Sequence, residues 1–225
     1  MSEKNSLLKL NKTRVKKKIV LLSDDMRMHS GVANMSRELV MGTMHKYDWV
    51  QIGGAIKHPE EGKIIDMGQA VSNDYGVPNA YLKIYPTGGY GNPDMLREIM
   101  QLEKPDAIIH FTDPRFWIWL YNMEHEVRQH IPIMYYNIWD DIPDPLYNTN
   151  FYRSSDMLMS ISKQTYGINK RILSKYGYED WQTQYVPHGI TNKRCFKISI
   201  SNRKTRCYFT FHRPKILGLV LQYGT

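Results

Sequence analysis

A chain of 225 residues, 42% hydrophobic and 23% charged, carries enough apolar material for one sizeable core and too little length for two full domains. No apolar run approaches the roughly 20 residues of a membrane span, Ile19–Leu22 is too short for a secretory core, and Cys195 and Cys207 offer no disulfide framework. A cytoplasmic protein is expected. The net charge of +8 resides in residues 191–225, which hold eight Lys/Arg and no acid, so that residues 1–190 are neutral with 22 basic and 22 acidic side chains. A basic segment can grip phosphates, but no recognition motif accompanies it, and specific nucleic-acid binding is not expected.

In chain order, residues 1–16 read as a frayed, polar and basic start. Lys17 to Ser23 is a continuous apolar run of the kind a buried parallel strand needs. A polar loop follows, Asp24 to Gly31, with Ser30 placed to cap a helix whose apolar positions are Val32, Met35, Leu39 and Val40. A second strand is expected over Trp49–Ala55 and another over Tyr81–Tyr85, with 56–80 irregular apart from a short apolar piece at Lys63–Met67. In the turn-rich loop after it, Asn92 is placed as a cap and Pro93 at the first helical position; that helix ends before Lys104-Pro105.

From there the units become regular. The pattern predicts strand Asp106–Phe111, a helix from Pro114 to His130, strand Ile131–Ile138, a long loop Trp139–Asn150, strand Met157–Ser162, a helix through Tyr176, and strand Thr183–Pro187. Strands alternating with helices imply an α/β, Rossmann-like, doubly wound parallel sheet. Ligands of such sheets sit beyond the carboxyl ends of the strands.

Those ends carry the candidate site residues. Gly31 opens a helix directly after the first strand, where backbone N–H groups could receive an anion, although Asp24 and Asp25 would repel a phosphate. The alternative is that it relieves crowding where helix meets sheet. Gly88-Gly89-Tyr90-Gly91 is a flexible loop that turn chemistry also explains. His110, Thr112, Asp113 and Arg115 leave a strand where a cleft should open, beside the flat faces of Phe116, Trp117 and Trp119. Sugars suit such a site, since their C–H faces pack on rings while carboxylates and guanidinium groups hold the hydroxyls. The alternatives are that Asp113 only caps the next helix and that His110, inside the strand, is a core histidine. Trp139-Asp-Asp-Ile-Pro-Asp-Pro-Leu-Tyr147 repeats the combination, with Asp140, Asp141 and Asp144 in one loop. Neither this carboxylate cluster nor His188, Cys195, Cys207 and His212 has the spacing of a metal site, so no metal is expected.

These residues, in this order, resemble the N-terminal domain of GT-B glycosyltransferases, in particular the large retaining group that uses nucleotide sugars. The likeness covers about residues 17–196. It rests on Ser30-Gly31-Val32, on the strand at 105–110, on Tyr-Tyr-Asn-Ile-Trp-Asp at 135–140, on Ser155-Asp-Met-Leu-Met-Ser-Ile-Ser162, and on Val-Pro-His-Gly-Ile at 186–190. The last is similar to the family's hinge, here Pro187, His188 and Gly189.

The resemblance implies an acceptor-side domain over 17–190, a hinge and truncated basic tail over 191–225, a nucleotide-diphosphate sugar as donor substrate without a further cofactor, and a glycan or other hydroxyl acceptor. It places Asp113 and His110 in catalytic positions and Gly31, Thr112, Arg115, Trp139, Asp140 and Asp141 in substrate binding. The family's donor domain carries two glutamates eight positions apart, a spacing that occurs nowhere in this chain. Transfer depends on neutralising the leaving diphosphate, so a half enzyme, a non-catalytic remnant and a carbohydrate-binding module are all consistent with the sequence. A strand-end face left open would favour self-association.

Overall fold

Strand and helix alternation closes into one eight-stranded sheet in the computed structural model, which describes residues 16–56 and 59–189. The expected frayed start at 1–15, Ile190, the basic segment 191–225, Cys195, Cys207 and His212 lie outside the described residues. The elements run β1 (Lys17–Asp24), α1 (Gly31–Thr43), β2 (Tyr47–Ile56), β3 (Ile65–Asp66), α2 (Gly68–Tyr75), β4 (Leu82–Gly88), α3 (Pro93–Glu103) and β5 (Ala107–Phe111). After a 3-10 turn at Pro114–Trp117 come α4 (Ile118–Asn122), α5 (Glu124–Val127), β6 (Ile133–Asn137), α6 (Thr149–Arg153), β7 (Met157–Ser160), α7 (Lys163–Leu173) and β8 (Thr183–Tyr185).

The strand order is β3-β4-β2-β1-β5-β6-β7-β8, and every neighbouring pair is parallel except β3 with β4. This is the Rossmann-like α/β sheet that the alternation implies. Side chains alternate across each strand, and both faces are covered. On one face Ile19, Leu21, Trp49, Ile84 and Ile109 pack with Met35, Leu39 and Val40 of α1 and Val71 of α2. On the other, Val20, Leu22, Val50, Ile52 and Ile108 meet Leu96 and Ile99 of α3, Leu120 of α4 and Val127 of α5. Tyr135 and Leu158 continue that second face onto Tyr152, Ile168 and Ile172. Strands covered on both sides explain the continuous apolar runs.

Two elements depart from the expectation. The stretch 56–80 contains α2, whose apolar stripe is thin: Gly68 and Val71 are its buried residues, and Gly76 ends it in the left-handed region at φ 64°. The helix expected from Pro114 to His130 is broken at Trp117 and Met123, whose backbone leaves helical geometry. Both joint residues are buried, so the bends keep Trp117 and Met123 against the sheet. The local caps agree with expectation. Ser30 Oγ accepts from the Ala33 N–H at 2.9 Å and Asn92 Oδ1 from the Met95 N–H at 3.0 Å, with Pro93 at the first turn. Among the described residues no helix is long and apolar enough to cross a membrane.

Candidate functional site

The chain leaves β1 for β2 on one side and reaches β5 on the other only after crossing over through α3. That reversal makes the carboxyl ends of β1 and β5 the switch point, where sheets of this kind offer a crevice to ligands. The order of strands thereby selects one opening among all the strand ends inspected from sequence.

On the β1 side, the two aspartates part company. Asp25 is fully buried and receives Arg27 Nε at 3.0 Å, Arg27 Nη2 at 2.7 Å and the Arg27 backbone N–H at 2.9 Å. Asp24 instead faces the start of α1, where its Oδ2 accepts from the Ser30 hydroxyl at 2.8 Å. Because Ser30 Oγ already accepts from Ala33 N–H, its single proton is committed to Asp24. The other Asp24 oxygen has no hydrogen-bond partner among the described residues, although the residue is only 9% exposed. A carboxylate therefore already occupies the surroundings of the α1 N-terminus. Gly31 is exposed, and a Cβ placed on it would meet nothing within 4 Å, so the crowding explanation of this glycine is not supported.

The β4–α3 loop closes over the next side. Gly89 O accepts from Ala55 N–H at 2.6 Å, and a Cβ on Gly54 would stand 2.7 Å from Gly89 O and 3.1 Å from Tyr90 Cδ1. Only glycine at 54 lets this loop approach so closely. Tyr90 lies parallel to Phe116, ring centroids 4.8 Å apart at 6°, and edge-on to Trp117 at 5.5 Å; its carbonyl accepts from Trp119 Nε1–H at 3.1 Å. Burial and the negative charges of Asp24 and Asp113 push the Tyr90 hydroxyl pKa up, which puts this ring in the field of carboxylates from both sides of the crevice.

On the β5 side, Asp113 caps the 3-10 turn through the Arg115 N–H at 2.9 Å and is clamped by the Arg115 guanidinium, with Nη2–Oδ2 at 2.5 Å. That clamp holds its carboxyl below the usual range, so it serves as a fixed anion. The capping role is thus realised, at the carboxyl end of β5. Thr112 is buried; Arg115 and Phe116 are exposed. Of the three flat faces expected here, Trp117 is fully buried and Trp119 is turned toward Tyr90, which leaves Phe116 as the open one.

His110 lies below this surface with no exposed area, stacked on Tyr135 at 5.1 Å and sharing a 2.7 Å hydrogen bond between Nδ1 and the Tyr121 hydroxyl. Burial lowers its pKa to about 3, so the ring is neutral. The ring is thus enclosed beneath the strand end, with Nε2 buried and without a hydrogen-bond partner among the described residues, so any part it plays in a reaction needs that enclosure to open. In the β6 loop, Trp139 Nε1–H donates to Asp141 O at 2.8 Å and its ring meets Tyr147 edge-on, while Asp140 and Asp141 are exposed. Asp144 is drawn away from that group by Arg171, with Oδ1–Nη2 at 2.6 Å. Among the described residues no cluster of His, Cys, Asp or Glu could hold a metal ion.

At the exit of β8, the Tyr136 hydroxyl donates to Val186 O at 2.6 Å, and the His188 ring sits edge-on to Phe111 at 5.8 Å and Tyr136 at 5.4 Å. Pro187, His188 and Gly189 thus leave the sheet beside the crevice, with burial lowering the His188 pKa. Asp24 and Tyr90 are the two site residues not singled out from sequence. Their loops were visible as strand ends, but only the fold brings them to one opening.

Neither a protein-family model nor a curated protein matches the chain. Among solved structures, Anabaena HepE in complex with UDP and glucose is similar to it, with 9% identity and a TM-score of 0.46, over 77% of this chain and 45% of that one. The chain therefore spans less than half of that protein's length.

Proposed function

We propose that this chain is the acceptor-binding half of a glycosyltransferase that moves a sugar from a nucleotide-sugar donor to a hydroxyl group. The observation carrying this reading is the convergence on one switch-point crevice of an open carboxylate oxygen, a second carboxylate held as an anion and an exposed aromatic face. Asp24 is the group that would accept a hydrogen bond from the acceptor hydroxyl. Asp113 and Arg115 form a fixed polar rim, Asp140 and Asp141 line the neighbouring strand end, and the space over Gly31 is open for a ligand to approach. The resemblance of the strand-end motifs supplies the nucleotide-sugar donor, and the exit through Pro187–Gly189 supplies the side from which a donor-binding body would approach.

A second reading, a carbohydrate-binding module without catalysis, is favoured by one observation. His110 is sealed and Asp113 is bound by Arg115, so neither is free to carry a proton. The test is to incubate the chain with UDP-, GDP- and ADP-sugars and neutral saccharides, reading diphosphate release and glycoside formation by mass spectrometry. Saccharide binding with slow diphosphate release is expected, because an acceptor-binding half supplies little to neutralise the departing diphosphate. Saccharide binding without diphosphate release would replace the enzyme by the module, and absence of both would remove the two readings together.

A further inference from the structure

The acceptor crevice contains an asymmetry of surface and charge that goes beyond transfer itself. Phe116 is 54% exposed and rests on a packed neighbour. One face is covered by the parallel Tyr90 ring, and Tyr90 is in turn held by the close approach permitted at Gly54, by Trp117 edge-on and by the Trp119 hydrogen bond to its carbonyl. A phenylalanine that is immobilised on one face and open on the other is a flat surface prepared before any ligand arrives, which reduces the ordering cost of binding. Such a face suits the C–H face of a pyranose ring or another flat apolar surface.

The charges around it have one sign left over. Arg27 is engaged by Asp25 and Glu60, and Arg115 by Asp113. Asp24, by contrast, has an oxygen without a partner among the described residues, and Asp140 and Asp141 form no ion pair among them. The α1 N-terminus already has the Asp24 carboxylate beside it through Ser30. A group that donates hydrogen bonds or carries positive charge is stabilised there, whereas a phosphate would meet carboxylates with the nearby guanidinium groups already occupied.

We infer that the Tyr90–Phe116 stack, together with Asp24, selects neutral or amino-bearing saccharides by one apolar face and excludes phosphorylated ones. This inference rests on the acceptor-binding reading above and deepens it by naming the acceptor class. Phe116 is the specificity-determining contact, Tyr90 positions it, and Asp24 supplies the discrimination by charge.

The experiment is saturation-transfer NMR of the full chain with methyl glucoside, glucosamine and glucose 6-phosphate, without any nucleotide sugar. Methyl glucoside and glucosamine are expected to bind with saturation concentrated on the ring protons of one face. Glucose 6-phosphate is expected to bind on the order of tenfold more weakly, the scale of one unfavourable charge contact partly screened by solvent. Phe116→Ala should abolish the signal and Phe116→Trp retain it; Asp24→Asn should erase the difference between glucose 6-phosphate and methyl glucoside.

Equal or tighter binding of glucose 6-phosphate, binding indifferent to Phe116→Ala, or no binding of any of the three sugars would overturn the inference. Phe116 is exposed, so its variants test the surface without disturbing the core, and an unchanged amide spectrum verifies this. Transfer that survives Phe116→Ala would sink the platform and leave the transferase reading standing. Saccharide binding without transfer would do the reverse.

Discussion

At the amino end of the strands, Glu103 receives Lys18 Nζ at 2.8 Å, Lys83 Nζ at 3.1 Å, the Tyr81 hydroxyl at 2.6 Å and the Tyr85 hydroxyl at 2.8 Å, while both ammonium groups lie over the Tyr81 ring. At the carboxyl end, Asp24, Tyr90, Asp113, Arg115 and Phe116 bring together similar kinds of side chain, and an Asp24 oxygen and the Tyr90 hydroxyl have no hydrogen-bond partner among the described residues while Phe116 is exposed. The difference is one of closure. Around Glu103, side chain 2% exposed, hydrogen bonds converge from β1, from the start of β4 and from the residue preceding it, so the group contributes to stability. Around Asp24 the partners stop short, and the remaining valences are available to a ligand.

The largest test of that contrast is Glu103→Ala, which strands two ammonium groups and two hydroxyls at a buried position. It should cost about 3–5 kcal/mol in urea unfolding, the range for breaking a buried ion pair from one side, whereas Phe116→Ala should stay within about 0.5 kcal/mol as an exposed substitution. The acid limb carries the same information. Burial alone would raise the Glu103 carboxyl, but the hydrogen bonds from Lys18, Tyr81, Tyr85 and Lys83 outweigh it and bring the pKa from 4.5 down to about 2. A carboxyl held below its unfolded value stabilises the fold above about pH 4.5 and loses that contribution as pH falls toward 2. The stability difference between the natural chain and Glu103→Gln, followed by unfolding at successive pH values, should shrink through that window; a difference that stays constant would count against the network.

An intermediate effect is expected where the open end depends on packing. Gly54→Ala puts a Cβ at 2.7 Å from the backbone oxygen of Gly89, so the β4–α3 loop must move. The cost should be about 1–3 kcal/mol in unfolding, and, unlike Glu103→Ala, the change should disturb the Tyr90 ring resonances even in the fully folded protein. A small effect is also expected for Arg115→Ala. Its side chain is 55% exposed, and loss of the pair with Asp113 should cost less than about 1 kcal/mol. Binding of a cationic sugar should rise in that variant because the Asp113 charge is released; a fall would show that Arg115 itself holds the ligand.

Much of this architecture is written locally. Ser30 and Asn92 announce helix starts through hydrogen bonds that span three residues, Pro93 does so through its fixed φ, and the doubly covered strands announce themselves by unbroken apolar runs. What was not legible depends on distance along the chain. The helix α2 buries too few apolar residues to display a period, and the breaks at Trp117 and Met123 follow from the sheet beneath them. His110 reads as a candidate base until Tyr121 and Tyr135 enclose it. Tyr90 sits in a glycine-rich turn that explains itself by turn chemistry, and its pairing with Phe116 joins residues 26 positions apart in the sequence. Glu103 gave no signal, because its partners come from β1 and from the start of β4.

The helix α3 joins these two environments end to end. Its last residue is Glu103, seated in the closed network, and its cap, Asn92, directly follows the loop that carries Tyr90. Eleven residues of helix make a rod of about 16 Å, anchored firmly at the foot and bearing an aromatic ring beyond its head. The loop that carries Tyr90 is thus continuous with a helix seated in an ion cluster at the other end of the sheet, so one rigid element spans the distance between the closed network and the open strand ends.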